Sequence, residues 1–281
     1  MSATHEAGYR LLAAAGLSEP ITATCMAALS KPGHLFSGTP VWSRLFLAWI
    51  EALASEPIGR FLDAAVACEC MAAGYDLIDS ANDPHLVLSP DAGTPVLPAG
   101  VTLLLLAQEL MARADLPIER RVHASAALAR GGRRALAAHA RDHALRRLPA
   151  ATPEAVLAVL RRRSGGLVAA TCQCAALLAG VPWRVVAHAG CFGRALGCAA
   201  QLEDDLADRA EDAINGRKTV PIALTALYPT EPELVEATTW TLIHRYLVEA
   251  ALVLTRLPID PARTEALWNL LPPYLRPDWH C

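Results

Sequence analysis

Two aspartate ladders, about 125 residues apart, constrain this chain more than any other feature. The later one packs Asp204, Asp205, Asp208 and Asp212 into nine residues of an otherwise apolar run. Asp204, Asp208 and Asp212 recur at i, i+4 and i+8, so a helix places them along one face with about 6 Å of rise between neighbours. In the earlier ladder Asp76, Asp79 and Asp83 stand at i, i+3 and i+7, again one helical face. Like charges stacked on one face repel, and Asp is a poor helix former. A cation is expected to offset that cost. A hard divalent metal with oxygen ligands suits carboxylates, and Mg²⁺ held by a few of them commonly binds substrate phosphate as well. Arg217 and Lys218, just downstream, fit a phosphate partner. The alternative is a solvated acidic helix end. Two such helices, facing at roughly 8–10 Å, would let their carboxylates clamp a cluster of divalent ions.

The rest of the chain reads as helix. Apolar residues make up 53% and charged residues 19%, which suits closely packed, buried helices. Aromatics are few and alternating β-branched runs are hard to find. Apolar periodicity and its breaks predict helices over 5–15, 18–30, 40–55, 57–81, 98–114, 117–147, 152–180, 183–209, 219–228, 231–257 and 261–271. Pro20, Lys31-Pro32-Gly33, Pro57, Pro149, Pro182, Gly216, Pro258 and Pro272-Pro273 punctuate them. Thr152 followed by Pro153 is a helix start with proline in the first turn. No repeat or long linker divides the 281 residues, so residues 1–281 are expected to form one all-α domain.

The sequence resembles the trans-polyprenyl (isoprenyl) diphosphate synthase family, over roughly residues 30 to 275. The resemblance is carried by three motifs in the family's order and spacing. Gln201, Asp204, Asp205, Asp208, Asp212, Gly216, Thr219 and Pro221 fall on the family's second aspartate motif, F-Q-x-x-D-D-x-x-D with its D-x-x-x-G-K-x-T-x-P continuation. Arg217 stands where that motif has lysine. Glu69, Asp79 and Asp83 match the first motif, E-x-x-H followed by D-D-x-x-D, with Ala72 in place of its histidine and Ser80 in place of its second aspartate. Arg163-Ser164-Gly165-Gly166-Leu167 resembles the K-T-x-x-L motif.

Two departures stand out. The family's Gly-Gly-Lys-Arg segment, which holds the homoallylic diphosphate, is replaced between Ser37 and Arg44. Its R-R-G-x-P-T segment appears as Asp91-Ala92-Gly93-Thr94-Pro95-Val96, with both arginines gone. An aspartate there would repel a second diphosphate. The allylic half of the site is therefore retained, and the isopentenyl diphosphate half is eroded.

The resemblance implies an isoprenoid synthase-type helical bundle around a central active-site cavity, working as a homodimer on an allylic prenyl diphosphate. It implies two to three Mg²⁺ ions on Asp79, Asp83, Asp204, Asp205 and Asp208. Arg163, Ser164, Gln201 and Lys218 take the catalytic positions. Arg163, Arg217, Lys218, Tyr75 and Arg44 take substrate-binding ones, Tyr75 where the family limits product length with a bulky side chain. A plain core aromatic is the other reading of Tyr75. Three functions follow: a prenyltransferase using isopentenyl diphosphate or another acceptor, a terpene synthase acting on one diphosphate, and a non-catalytic subunit of a synthase. The near-intact second motif counts against the third.

Other features are read more plainly. A net charge of −3 argues against nucleic acid. The opening Met-Ser-Ala-Thr-His-Glu has neither a basic nor an apolar signal region, so no signal peptide is expected, and the eight cysteines, mostly in apolar helical runs, read as buried hydrophobes of a reducing cytoplasm. The longest uncharged run, Gly165 to Trp183, reads as a buried helix rather than an integral membrane span. Glu69 is either a group behind the metal ligands or a buried acceptor. Asp76 either extends the metal face or is a rim charge. His139 and His143 have zinc-binding spacing, but the arginines around them favour a solvent-exposed face. Of Arg161, Arg162 and Arg163, the last is expected to point inward.

Overall fold

The structure, a computed structural model, describes residues 3–82 and 95–276. No strand occurs among them. Helices run over Ala3–Ala14 (α1), Glu19–Leu29 (α2), Trp42–Leu53 (α3), Leu62–Asn82 (α4), Val96–Arg113 (α5), Ile118–Arg146 (α6), Pro153–Arg162 (α7), Ser164–Leu178 (α8), Trp183–Ala207 (α9), Arg209–Ile214 (α10), Val220–Leu227 (α11), Pro232–Thr255 (α12) and Glu265–Trp268 (α13). A 3₁₀ turn over Ile58–Phe61 leads into α4, and another over Pro261–Thr264 leads into α13. Contacts group the residues into two compact units, 1–127 with 174–181, and 128–173 with 182–281.

In the first unit α4 is the core. Ala64 through Cys68, and Cys70 through Ala73, are at most 3% exposed, so the helix is apolar all round and is covered by α1, α2, α3 and α5. Small side chains let its neighbours come close. A Cβ on Gly74 would sit 2.9 Å from Gly100 O of α5, and one on Gly100 would sit 3.0 Å from Gly74 O. Trp49 and Phe46 of α3 add fully buried aromatic surface.

In the second unit α9 takes that place, against α7, α10, α11 and α12. Glycines again set the approach. A Cβ at Gly193 would meet Val168 O at 2.6 Å, and one at Gly197 would meet Ser164 O at 2.9 Å. This seats the first part of α8 directly on α9.

Several boundaries differ from the sequence reading. The helix expected over 152–180 is two: α7 ends at Arg162, and Arg163 adopts φ −78°, ψ −87° before α8 begins. Gly165 and Gly166 follow at once and weaken the helix there. The predicted capping of α7 is present, with Thr152 Oγ1 accepting from Ala155 N. The helix expected over 183–209 stops at Ala207, with Asp208 as its cap. The uncharged run from Gly165 gives a helix only to Leu178, then turns at Gly180, where φ is +72°. Instead, among the described residues, α5 is the one helix long and apolar enough, by length and composition, to cross a membrane, and 39% of it is buried. Six described cysteines are buried and outside any disulfide, whereas Cys191 is exposed, against the expectation for that helix.

Candidate active site

The two aspartate ladders stand in different units and differ in surroundings. On α4, Asp79 and Tyr75 are half-buried and Asp76 is exposed. Burial pushes the Tyr75 phenol up. Asp83 and the segment from Asp91 to Thr94 lie outside the described residues. Glu69 is a buried acceptor: it is 0% exposed, and its Oε1 accepts from Ser43 N and Ser43 Oγ, both at 2.7 Å. Asp76 is an exposed charge that also pairs with the buried His34 at 2.8 Å. Arg44 is exposed on α3.

The second unit holds an open cleft lined by Asp142, Val156, Val159, Leu160, Arg163, Ser164, Gln201, Asp205, Lys218 and Thr219. It forms where the α7–α8 break, the last turns of α9 and the start of α11 meet. Ser164 Oγ donates to Gln201 Oε1 at 2.7 Å, and Gln201 Nε2 donates to Asp205 Oδ1 at 2.9 Å. That chain fixes the amide of Gln201 in one orientation. Arg163 lies 3.8 Å from Asp142 Oδ2, and Lys218 Nζ lies 3.5 Å from Pro149 O. Two cationic side chains, a hydroxyl and an amide thus converge on one cleft from three sequence segments.

The carboxylates of α9 part company. Asp205 is 8% exposed and faces this network, whereas Asp204 and Asp208 are exposed at the helix end. Successive helical positions diverge by about 100°, which is why neighbours in sequence point to different surroundings. Asp212 leaves the ladder: it is 2% exposed and accepts from Arg217 Nη1 at 3.2 Å. Arg217 therefore serves an ion pair and is not among the residues lining the cleft. Arg161 and Arg162 are exposed and Arg163 is half-buried, as expected, although Arg161 also donates to Tyr246 at 2.7 Å. The His139 face is not solvated. His139 and Asp142 are each 8% exposed, the two imidazole Nε2 atoms of His139 and His143 lie 2.9 Å apart, and Asp142 pairs with Arg146 at 3.0 Å.

Electrostatics marks the end of α9 as unfavourable without a cation. Burial raises the Asp204 carboxyl, and the charges of Asp208 and Glu203 raise it further. The helix C-terminus carries the negative end of the dipole, so these carboxylates sit at the wrong end of the helix for stability. An all-oxygen, acidic donor set at that position fits a divalent ion such as Mg²⁺. Among the described residues no three His, Cys, Asp or Glu side chains converge into a ready cage. Mg²⁺ does not require one, since it usually takes one or two carboxylates and completes its shell with water and substrate phosphate.

Burial pushes Asp205 up to about 7, against the hydrogen bond from Gln201 and the charge of Arg163. A raised acid favours the folded state below its unfolded value of 3.8 and loses that advantage as pH climbs through about 7. Asp205→Asn is therefore expected to raise the thermal midpoint at pH 8 and to flatten its fall between pH 4 and 7. Thermal unfolding of both proteins across that range, without metal, is the check. An unchanged pH profile would place Asp205 in contact with water.

Known structures share this architecture. A geranylgeranyl pyrophosphate synthetase from the archaeon Geoglobus acetivorans superposes with a TM-score of 0.81 at 20% identity, covering 97% of this chain and 94% of that one. The synthetase from Pyrococcus horikoshii gives 0.77 at 18%, covering 97% and 94%. The fold is that of the prenyl diphosphate synthases. A geranyltransferase from Helicobacter pylori, complexed with magnesium and isoprenyl diphosphate, gives 0.73 at 18%, covering 96% and 97%. No protein-family model and no curated protein matches the sequence.

Proposed function

We propose that this protein is a divergent member of the trans-polyprenyl diphosphate synthase family that ionises an allylic prenyl diphosphate and transfers the prenyl group. The observation that carries the reading is the cleft in which Arg163, Ser164, Gln201 and Lys218 converge from motifs far apart in sequence. Arg163 and Lys218 would take the diphosphate oxygens, the guanidinium as a planar fork and the ammonium as a point charge. Negative charge grows on those oxygens as the allylic C–O bond breaks, so both cations bind the transition state more tightly than the substrate. Ser164 would orient one oxygen, itself held by Gln201. Asp204 and Asp208 would hold Mg²⁺ in the second unit, and by the resemblance Asp79 of α4 and Asp83, which lies outside the described residues, would be ligands as well. The ion supplies Lewis-acid neutralisation of the leaving diphosphate.

A terpene synthase acting on one diphosphate is the second reading. It is supported by the loss of the Gly-Gly-Lys-Arg segment and by the two carboxylates, Glu69 and Asp76, around His34 in that part of the first unit. Diphosphate release with Mg²⁺ from geranyl, farnesyl and geranylgeranyl diphosphates, with and without isopentenyl diphosphate, separates the two. Release that needs isopentenyl diphosphate, with a longer prenyl diphosphate formed, is expected for the first. Release without it, yielding a hydrocarbon or terpene alcohol, would establish the second. No release in either arm would overturn the terpene synthase and chain elongation with isopentenyl diphosphate, and would leave a prenyltransferase with another acceptor or a non-catalytic subunit.

A further inference from the structure

α4 carries two carboxylates that the proposed chemistry does not use, and one imidazole faces both. His34 lies in the turn after α2, with its side chain 7% exposed. Its Nε2 lies 2.8 Å from Asp76 Oδ2, and its Nδ1 faces Glu69 Oε2 at 3.8 Å. Glu69 is anchored by the two hydrogen bonds from Ser43. At that separation Glu69 makes no hydrogen bond to the ring, whose orientation is set by the bond to Asp76. A carboxylate only accepts, so Nε2 carries the proton and donates to Asp76. The backbone around the ring is also tied down. Phe36 N donates to Leu29 O at 2.7 Å, Val41 N to Gly33 O at 2.8 Å, and Ser37 Oγ to His34 O at 2.7 Å. Between the two carboxylates along α4 stand Ala72 and Ala73, small enough for an imidazole to lie across.

Asp76 precedes Asp79 by three residues. On a helix that is about 60° of rotation and about 4.5 Å of rise, so both belong to one face. The Asp76 side chain is 56% exposed and within reach of an ion on that face. Its charge-assisted hydrogen bond to His34 draws it the other way. Ligand charge count is what tunes the affinity of a carboxylate site for a divalent ion. An added carboxylate would hold the ion, and the diphosphate leaving with it, too tightly for turnover.

We propose that His34 is a specificity-determining residue that withholds Asp76 from the metal-binding face of α4, so that Asp79 and not Asp76 meets a divalent ion. The inference rests on reading α4 as a metal-binding helix under the proposed function. It explains why an aspartate stands at position 76 without joining the ladder that its spacing suggests. It also gives a role to a buried histidine lying 42 residues from its partner.

The test titrates Mn²⁺ into the full chain and reads bound ion by electron paramagnetic resonance, with no prenyl substrate present. His34→Ala frees Asp76 and is expected to tighten binding about tenfold, the scale on which groups around a metal site act. His34→Gln keeps an amide donor for Asp76 and should retain wild-type affinity. Asp76→Asn alone, at an exposed position, should leave affinity unchanged, and in the His34→Ala background it should reverse the tightening. Unchanged binding in His34→Ala, tightening that survives Asp76→Asn, or weaker binding in Asp76→Asn alone overturns the inference and leaves the proposed function standing. Binding in His34→Ala with none in the wild type supports the role of His34 and sinks metal-dependent catalysis. No binding in any variant overturns both.

Discussion

Asp204→Ala is expected to abolish Mg²⁺-dependent diphosphate release while making the metal-free protein slightly more stable. The two effects share one cause. Asp204 is exposed at the last turn of α9, where Asp208, Glu203 and the helix dipole all oppose its charge. Alanine removes that repulsion and is the better helix former. Among the described residues the Asp204 side chain has no hydrogen-bond or ion-pair partner, so little is lost in exchange. Catalysis loses a carboxylate from the ion that neutralises the leaving group. A cost of at least about 10³-fold is expected, the upper scale for losing one preorganised charge-stabilising group. Opposite changes in rate and stability are the mark of a residue retained for function at the expense of the fold. Diphosphate release and thermal unfolding in chelator, run on both proteins, decide the matter. Activity within tenfold of wild type would remove Asp204 from the metal site, and a clear fall in the thermal midpoint would make it structural.

What could be read from the sequence follows the range of the interactions involved. Helix extents were legible because apolar periodicity, Pro182, Pro153 and Gly216 act within a turn or two of the chain. Gln201, Ser164, Arg163 and Lys218 were legible as a set only through motif order, and the structure brings them to one cleft. The end of α9 after Ala207 was not legible. Asp208 caps it at φ −90°, ψ 9° with no glycine or proline to announce it. Its amide still bonds back to Asp204 O, and that of Asp212 to Asp208 O, both at 2.9 Å, so the helical spacing of the ladder survives a break that divides its fates. Burial of Asp212 then turns the third rung into an ion pair with Arg217.

Long-range pairings were the larger omission. His34 meets Asp76 across 42 residues, and nothing local in Gly33-His34-Leu35 distinguishes a buried histidine from a loop one. The face of α6 with His139 and His143, where Asp142 also stands, looked solvated because arginines crowd that helix. Yet Arg146 on the same helix and Arg163 across the cleft neutralise Asp142, which permits its burial. Arg163 was expected inward by resemblance. The helix break that lets it turn there was signalled by Gly165 and Gly166, and a continuous reading of 152–180 passed over them.

The same Gly→Ala change is expected to have opposite signs at two glycines of α8 and α9. At Gly193 a Cβ would lie 2.6 Å from Val168 O, 2.7 Å from Cys172 Sγ and 2.9 Å from Ala169 Cα. Two of these are backbone atoms of a packed helix and cannot rotate away, so α8 and α9 must separate. Overpacking of this kind costs about 1–3 kcal/mol, and alanine recovers up to about 1 kcal/mol of helix propensity. A net loss of about 1 kcal/mol is expected for Gly193→Ala. At Gly166 a Cβ would meet nothing nearer than Arg161 O at 4.0 Å, and the backbone is not left-handed. There the propensity gain stands unopposed, and about 0.5 kcal/mol of stabilisation is expected. Urea unfolding of the two variants beside wild type measures both signs in one experiment. The contrast reaches the cleft as well, because Ser164 and Gln201 lie on the two helices that Gly193 holds together, and their 2.7 Å hydrogen bond cannot survive a separation of an ångström. Gly193→Ala should therefore weaken diphosphate release along with stability, and Gly166→Ala should leave it unchanged. If both variants were stabilised, helix propensity rather than the α8–α9 approach would govern this part of the fold.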